Sequence, residues 1–254
     1  MSGAVDLQPS PAYERFGVMY EAFLGDLSRD TWQLGIVADL VGLGLSAGRV
    51  LDVAAGTGVG ASEITRQTGL EVTCVDRSAG MLDIAARSYR VVLADMRDFA
   101  GACPDAGGYD AVVSGFDSVN YLDLAGLAGF LASSAACVRP GGYVIFDYSS
   151  QKFLQQDWRD TGYDQESDGF VLSWRNSFDD ELQRCTMELC LTDRGGQVVW
   201  REVHHQYSFD PYLIARLATR HGLDVTRIRD LERPTFSPLN NTHVYQLRRP
   251  EPGE

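Results

Sequence analysis

The sequence predicts an α/β fold: a doubly wound, mostly parallel sheet of seven strands with an N-terminal helical cap and an antiparallel hairpin insertion. Between residues 49 and 150, short apolar runs alternate with longer Ala- and Leu-rich windows, as in a parallel sheet with crossover helices. After Ser150 the pattern changes to long runs of alternating apolar and polar residues, which is typical of antiparallel strands. The 254 residues suffice for one or two domains, and we expect a single domain over 1–254.

The cap is assigned to residues 1–48 and the core of the parallel sheet to residues 49–150. In the cap, two amphipathic windows with aromatic residues, Tyr13–Phe23 and Thr31–Leu43, predict two helices. In the core, the apolar runs predict five strands, which are Arg49–Val53, Glu71–Val75, Arg90–Ala94, Ala111–Ser114 and Tyr143–Phe146. The windows between them predict three helices, which are Gly60–Gly69, Ala79–Arg87 and Leu122–Val138.

The insertion, an expected antiparallel cover, is assigned to residues 151–209, and the last part of the fold to residues 210–250. The alternating runs of the insertion predict three strands, which are Phe170–Phe178, Cys185–Thr192 and Gln197–Phe209. Asp210 and Pro211 are typical of a helix start, so we expect a helix from there to Arg220, ended by Gly222. Two final strands are expected at Leu223–Leu231 and Thr242–Arg248.

Composition limits the class of protein and its partners. The chain has 22 Lys and Arg against 35 Asp and Glu, a net charge of −13, so nucleic acid is not an expected partner. Its five cysteines are odd in number and form no C-x-x-C pair, which indicates neither a disulfide framework nor a zinc knuckle. No apolar stretch approaches the roughly 18 residues of a membrane helix, and the N-terminus lacks a signal-peptide pattern. We therefore expect a cytoplasmic protein with no membrane partner.

The run Val50–Gly58, with the sequence VLDVAAGTG, leads from a buried strand through a turn of small residues into a helix. Glycine lets a ligand approach the backbone closely, and a helix start offers free N–H groups, so a nucleotide-like ligand is expected. Asp76 ends the second strand, where a carboxylate accepts hydrogen bonds from ribose hydroxyls, and Asp95 with Met96 ends the third. The carboxyl ends of parallel strands share one edge, so these residues are expected around one site.

In this order and spacing, the motifs resemble those of the class I S-adenosylmethionine-dependent methyltransferases, over about residues 13–248. Leu51–Gly58 resembles the first motif of that family, with Ala54 where glycine is commoner. Asp76 matches the ribose-binding acid, and Asp95 with Met96 matches the pair that faces the adenine. The resemblance implies a Rossmann-like methyltransferase fold and S-adenosyl-L-methionine as the cofactor.

The resemblance also implies which residues lie at the cofactor. The segment Asp110–Tyr121 resembles the fourth-strand segment beside the methyl donor. Aromatic residues at the N-terminus of the family close over the methionine end of the cofactor. The residues expected at the cofactor are Tyr13, Tyr20, Asp52, Ala54, Gly56, Gly58, Asp76, Arg77, Met81, Asp95, Met96 and Ser114.

Two patterns also fit a different class of enzyme, the dehydrogenases. Gly56–Ala61 fits the nicotinamide pattern G-x-G-x-x-A, and Tyr148 with Lys152 fits the Y-x-x-x-K pair of short-chain dehydrogenases. Asp52 and Asp95 have no role in that class. Tyr148 also follows directly on a predicted strand, where helical spacing to Lys152 is not expected. The methyltransferase interpretation is therefore preferred.

The resemblance implies methyl transfer to a small-molecule acceptor of specialised or antibiotic metabolism, with an amine expected ahead of a hydroxyl or carbon acceptor. Methyl transfer from a sulfonium is an in-line displacement that depends on positioning, so no metal is required. The first candidate for a general base is His204, followed by Asp117 and Tyr121. His204 shares a strand face with Glu202, which could orient it, whereas His205 points to the opposite face.

Two other functions would leave the same motifs in the sequence. One is a protein that binds S-adenosylmethionine without methylating, as a cyclase or as a structural ligand. The other is a protein methyltransferase. The chain is also compatible with a homodimer, and the sequence leaves the acceptor and the methylated atom open.

Overall fold

The computed structural model describes residues 10–11, 13 and 16–254, and its centre is a sheet of seven strands. These strands are β2 (Arg49–Val53), β3 (Glu71–Asp76), β4 (Arg90–Leu93), β5 (Tyr109–Ser114), β6 (Val138–Ser149), β11 (Asp224–Asp230) and β12 (Thr242–Arg248). Their spatial order is β11-β12-β6-β5-β2-β3-β4, and β12 is the strand that runs antiparallel to both of its neighbours. The predicted doubly wound, mostly parallel sheet of seven strands is confirmed.

Helices cover both faces of this sheet. They are α1 (Tyr20–Trp32), α2 (Ala38–Gly42), α3 (Val59–Thr68), α4 (Ala79–Ala85), α5 (Leu124–Cys137) and α6 (Pro211–Arg220). Leu51 and Val53 pack into the core cluster that includes α5 and α6, whereas Val50 packs into the cluster that includes α2 and α3. Alternate residues of β2 therefore belong to opposite cores, which is why the strand reads as a continuous apolar run interrupted only by Asp52.

The prediction of two separate N-terminal helices is wrong. Tyr13 has a backbone φ of 64°, so it does not belong to a helix, and α1 begins at Tyr20. From there α1 continues through a π-helical turn at Gln33–Val37 directly into α2. Gly25 and Ser28, which resemble turn residues in the sequence, are buried within α1. Small side chains there allow close packing, and the helix continues through them.

Strand β6 is longer than predicted because it begins before the sequence Pro140-Gly141-Gly142. Val138 already pairs with Tyr109, and the next registered pair is Tyr143 with Ala111. The Pro-Gly-Gly segment is accommodated by an irregularity in the register and does not end the strand. Its turn-like composition concealed this pairing.

The insertion supplies four strands of a second sheet, larger than the predicted hairpin, and Ser10–Pro11 adds a fifth. These strands are β1 (Ser10–Pro11), β7 (Gly162–Ser167), β8 (Phe170–Asp179), β9 (Arg184–Asp193) and β10 (Val198–Tyr207), in the order β1-β10-β9-β8-β7. Strands β8, β9 and β10 lie within two residues of the predicted bounds. Strand β7 was not predicted, because its sequence GYDQES is polar and lies at the exposed edge of this sheet.

A buried arginine ties β11 to the N-terminal helices. Arg229 Nε donates to Asp39 Oδ1 at 2.8 Å, and its Nη2 donates to the carbonyl oxygens of Leu34 and Gly35 at 3.0 and 2.8 Å. The side chains of Arg229 and Asp39 are 6% and 3% exposed. The second cation near Asp39 is Arg227, whose Nη1 lies 4.0 Å from the same Oδ1 and whose side chain is 45% exposed.

The Arg229→Leu variant is therefore expected to lose about 3–5 kcal/mol of unfolding free energy, because Asp39 and two carbonyl oxygens become buried without this partner. Arg227→Leu is the matched control. It removes an exposed contact to the same carboxylate and should cost less than about 1 kcal/mol. Urea denaturation measures both values, and equal losses in the two variants would contradict this account.

Candidate cofactor and acceptor site

A deep cleft of about 1020 Å³ opens at the carboxyl edge of the parallel strands. Its floor comes from the turns after β2, β3, β4 and β5, and its roof comes from the N-terminal residues Tyr13, Tyr20, Ser28 and Trp32. Ten of the residues predicted for the site line this cleft, which are Tyr13, Tyr20, Ala54, Gly56, Asp76, Arg77, Met81, Asp95, Met96 and Tyr121.

The turn after β2 has the backbone conformation that its small residues predict. Ala54, Gly56 and Gly58 all have positive φ angles, of 61°, 56° and 89°. A Cβ added to Gly56 would meet no protein atom closer than Met81 Sδ, at 3.9 Å. Gly56 therefore leaves its backbone open to the cleft, which fits a ligand lying against it. Gly58 faces away from this cleft and caps α3.

Asp76, at the end of β3, holds this turn in place. Its Oδ2 accepts the N–H of Gly56 at 2.9 Å, and its Oδ1 accepts the N–H of Ser78 at 2.8 Å. Burial raises the pKa of Asp76, and these N–H groups oppose that effect. Each carboxylate oxygen can accept a further hydrogen bond from a ligand in the cleft.

Asp95, after β4, lies at the same edge but is held differently. Arg97 donates to both of its oxygens, from Nε at 2.9 Å and from Nη2 at 2.6 Å. These side-chain hydrogen bonds lower the pKa of Asp95, so its carboxylate is ionised at neutral pH. The contact to adenine predicted for Asp95 and Met96 stays a prediction. An adenine amino group there would donate to a carboxylate oxygen of Asp95 that also accepts from Arg97.

Five of the predicted site residues lie outside the wall of the cleft, which are Asp52, Gly58, Ser114, Asp117 and His204. Asp52 and Ser114 are fully buried within β2 and β5. Burial raises the pKa of Asp52 well above its ordinary value. A direct contact of Asp52 or Ser114 with the cofactor is therefore not supported, because both side chains are fully buried and neither lines the cleft.

His204 lies behind Tyr121 and does not reach the cleft. Its side chain is 1% exposed, its Nδ1 is 2.8 Å from Tyr121 Oη, and its Nε2 is 3.2 Å from Glu202 Oε2. The opposite orientation of His205 is as predicted, because its Nδ1 contacts Thr186 on the other face of the sheet. The role of His204 as a base stays a prediction; Tyr121 lies between His204 and the cleft, so the Tyr121 hydroxyl is the group that an acceptor would meet there.

We call the end of the cleft at Tyr13 and Tyr121 the acceptor end, and two carboxylates lie near it. Asp147 accepts the N–H groups of Phe116 and Asp117, at 2.9 and 2.7 Å, and thereby holds both residues at positive φ. Burial raises the pKa of Asp147 to about 6. Burial and then the charge of Asp147 raise the pKa of Asp117 to about 7.

The sequence analysis missed Trp32, Gly60 and Gly115 in the cleft wall. A Cβ on Gly60 would lie 2.3 Å from the Trp32 indole, and one on Gly115 would lie 2.7 Å from it. The indole is therefore packed against two glycines, and a side chain at either position would displace it. The signal in the sequence was a glycine two positions after the turn and another directly after β5, but the partner that needs them lies elsewhere in the chain.

Comparison with known proteins agrees with this geometry. Residues 50–142 match the family model described as a methyltransferase domain. No curated protein matches the chain in sequence. Residues 50–142 thus match a methyltransferase domain, and the chain has the fold of S-adenosylmethionine-dependent methyltransferases.

Solved structures similar to this methyltransferase share its fold at low sequence identity. An S-adenosylmethionine-dependent methyltransferase from Clostridium acetobutylicum is 20% identical, with a TM-score of 0.77 over 94% of this chain and 99% of that one. The CcbJ methyltransferase from Streptomyces caelestis is 20% identical, with a TM-score of 0.75 over 93% and 97%. The sugar N-methyltransferase KedS8 from a Streptoalloteichus species is 20% identical, with a TM-score of 0.73 over 99% of each chain.

The Asp76→Ala variant of this methyltransferase is expected to bind S-adenosylhomocysteine more weakly by about 1.5–3 kcal/mol, because it removes a charged acceptor from the cleft. Calorimetric titration measures the change. Asp98→Ala, which removes an exposed carboxylate near the same edge, is the control for net charge. An unchanged affinity in Asp76→Ala would remove this carboxylate from the cofactor site.

The Asp117→Asn variant is expected to gain melting temperature relative to the wild type as pH rises. Folding raises the pKa of Asp117 from 3.8 to about 7, so between these values the folded state holds a proton that the unfolded state has released. That contribution to stability is present below pH 4 and is lost as pH rises through 7. The melting temperatures of Asp117→Asn and of the wild type should therefore differ little at pH 4 and most at pH 8. The exposed Asp83→Asn is the control. A difference independent of pH would show that Asp117 is not the titrating group.

Proposed function

We propose that this methyltransferase transfers a methyl group from S-adenosylmethionine to an amine nitrogen of a small-molecule acceptor. The observation that carries the proposal is the acceptor end of the cleft, where the hydroxyls of Tyr13 and Tyr121 lie 3.2 Å apart, near the half-buried Asp117 and the buried Asp147. The arginines that line the cleft, Arg77 and Arg97, lie beside Asp76 and Asp95 at its other end. The acceptor end thus favours a hydrogen-bond donor that gains positive charge, and an amine nitrogen is a donor that becomes cationic when it takes the methyl group.

The state of Tyr121 supports an amine over a hydroxyl acceptor. Burial, and then the charge of Asp117, raises the pKa of Tyr121 well above its ordinary value, so this side chain stays a neutral phenol. A neutral phenol orients a donor but does not deprotonate an alcohol. A neutral amine needs no such base, because its lone pair is free to attack.

The cofactor supplies a methyl group on a positively charged sulfur when it is bound. The residues of the chain then have two tasks. The hydroxyl oxygens of Tyr13 and Tyr121 accept N–H groups of the acceptor, which fixes the direction of the nitrogen lone pair. The nitrogen forms its bond to the methyl carbon as the bond from that carbon to sulfur breaks. The positive charge then lies on nitrogen, which releases one proton. Asp117 lies outside the wall of the cleft, so it does not take this proton directly, but with a pKa of about 7 it is suited to hold a proton that reaches it through water.

The covered shape of the site supports a small acceptor over a protein. Tyr13 and Tyr20 cover the cleft from the N-terminal side, and strand β10 contacts Tyr121 through His204. A protein tail would need an open groove across this region. The sugar N-methyltransferase KedS8, which shares the fold, makes an amino sugar a reasonable first acceptor to test.

The function is tested by incubating the protein with S-adenosylmethionine and matched pairs of sugars that differ only in an amino or a hydroxyl group at one carbon. We expect S-adenosylhomocysteine and a singly methylated product with amino sugars, and neither with their hydroxy partners. Mass spectrometry detects both products. Methylation of the hydroxy sugars would overturn the choice of nitrogen, and cofactor binding without turnover on any acceptor would favour a protein that binds the cofactor without methylating.

A further inference from the structure

Glu202 is a buried carboxylate at the junction of three parts of the molecule. It lies on β10, is fully buried, and its two oxygens accept two backbone N–H groups of the N-terminal segment. Oε2 accepts the N–H of Tyr13 and Oε1 accepts the N–H of Phe16, both at 2.9 Å. Strand β1 pairs with β10 at the same place, where Ser10 is in register with Glu202.

The same carboxylate also contacts the histidine behind the acceptor end. Glu202 Oε2 lies 3.2 Å from His204 Nε2, and His204 Nδ1 lies 2.8 Å from Tyr121 Oη. Because an ionised carboxylate only accepts hydrogen bonds, His204 donates to it from Nε2. In the neutral imidazole, Nδ1 is then an acceptor, and Tyr121 donates its hydroxyl proton to it.

This donor order fixes the direction of the Tyr121 hydroxyl. Its proton points to His204, so its oxygen lone pairs point away from the histidine and include the side where Tyr13 Oη lies, at 3.2 Å. Tyr13 also packs against His204, with ring centroids 4.9 Å apart. The N-terminal segment and the orientation of Tyr121 therefore depend on one carboxylate.

We propose that Glu202 and His204 are positioning residues, and that Glu202 couples docking of the N-terminal segment over the cleft to the orientation of the Tyr121 hydroxyl. The proposal rests on the function proposed above only in making Tyr121 the group that meets the acceptor. It assigns His204 an indirect role through Tyr121.

The test compares Glu202→Gln with Tyr121→Phe. Glutamine has one acceptor oxygen where the carboxylate has two, so one N–H of the segment loses its partner, and the NH2 group opposes a neighbouring donor. Glu202→Gln should therefore weaken S-adenosylhomocysteine binding about tenfold and also lower kcat. Tyr121→Phe leaves Glu202 and the segment intact, so it should lower kcat or raise the acceptor KM while the S-adenosylhomocysteine affinity stays within about twofold.

A spectroscopic measurement in the absence of any acceptor makes the test independent of the reaction. In the wild type bound to S-adenosylhomocysteine, ¹⁵N-histidine NMR should show His204 as a single tautomer protonated at Nε2, assigned by its loss in His204→Asn. Glu202→Gln should mix the tautomers, and Tyr121→Phe should shift Nδ1 alone. Glu188→Gln is the matched control, because Glu188 pairs with Val203 on the neighbouring strand and faces solvent.

The outcomes separate this proposal from the proposed function. A wild-type His204 tautomer and wild-type S-adenosylhomocysteine affinity in Glu202→Gln would overturn the coupling, whatever the acceptor. The expected tautomer change without turnover on any amine would retain the coupling and reject the function. Should Glu202→Gln fail to fold, Tyr121→Phe decides, since an unmoved Nδ1 resonance would show that the hydroxyl does not donate to His204.

Discussion

At three places around the cleft, two backbone N–H groups donate to one carboxylate. Asp76 accepts the N–H groups of Gly56 and Ser78. Asp147 accepts those of Phe116 and Asp117, and Glu202 accepts those of Tyr13 and Phe16. Each pair lies in a loop or an irregular segment that has no strand or helix partner for those donors. A carboxylate offers both acceptors at once, so it fixes such a segment more firmly than a neutral side chain would. The floor, the acceptor end and the N-terminal cover of the site all depend on this arrangement.

Two of these carboxylates, together with Asp117, give the cleft its electrostatic character. Burial raises the pKa of Asp76, Asp117 and Asp147, which means that each of these groups is held at a cost in desolvation. A positively charged ligand lowers that cost, because it stabilises the ionised forms. A sulfonium donor is of this kind, and so is an amine nitrogen once it has taken the methyl group. The structural role of the carboxylates and their proposed role in recognition thus have one physical origin.

The two sheets contribute to different sides of the cleft. The parallel sheet presents the carboxyl ends of its strands to the cofactor side, as this topology does in other α/β folds. The five-stranded sheet contributes β10, whose inward residues Glu202 and His204 contact the N-terminal segment and Tyr121. Changes in the insertion would therefore alter the acceptor side and leave the turn after β2 unchanged. In the described residues no helix is long and apolar enough to cross a membrane.

The sequence by itself determined the parallel core, because its signals are local. The apolar run of β2, the small residues Ala54, Gly56 and Gly58, and Asp76 at the end of β3 each report a backbone requirement of their own position. The alternation around His204 also showed that His204 and His205 face opposite sides. These features need no knowledge of the rest of the chain.

Only the tertiary structure decided which face became the inside, and which residues meet. Strand β10 packs its Glu202 face against the N-terminal segment, so His204 lies behind Tyr121, a residue 83 positions away in the chain. Asp147 in the same way finds its donors 30 and 31 positions earlier. Buried polar partners of this kind leave no periodic signal, because each is defined by a contact between elements that fold together from distant segments. Asp52 shows the converse. Its place in a binding motif is clear from the sequence, but the pleat of β2 directs its side chain to a fully buried face of the sheet.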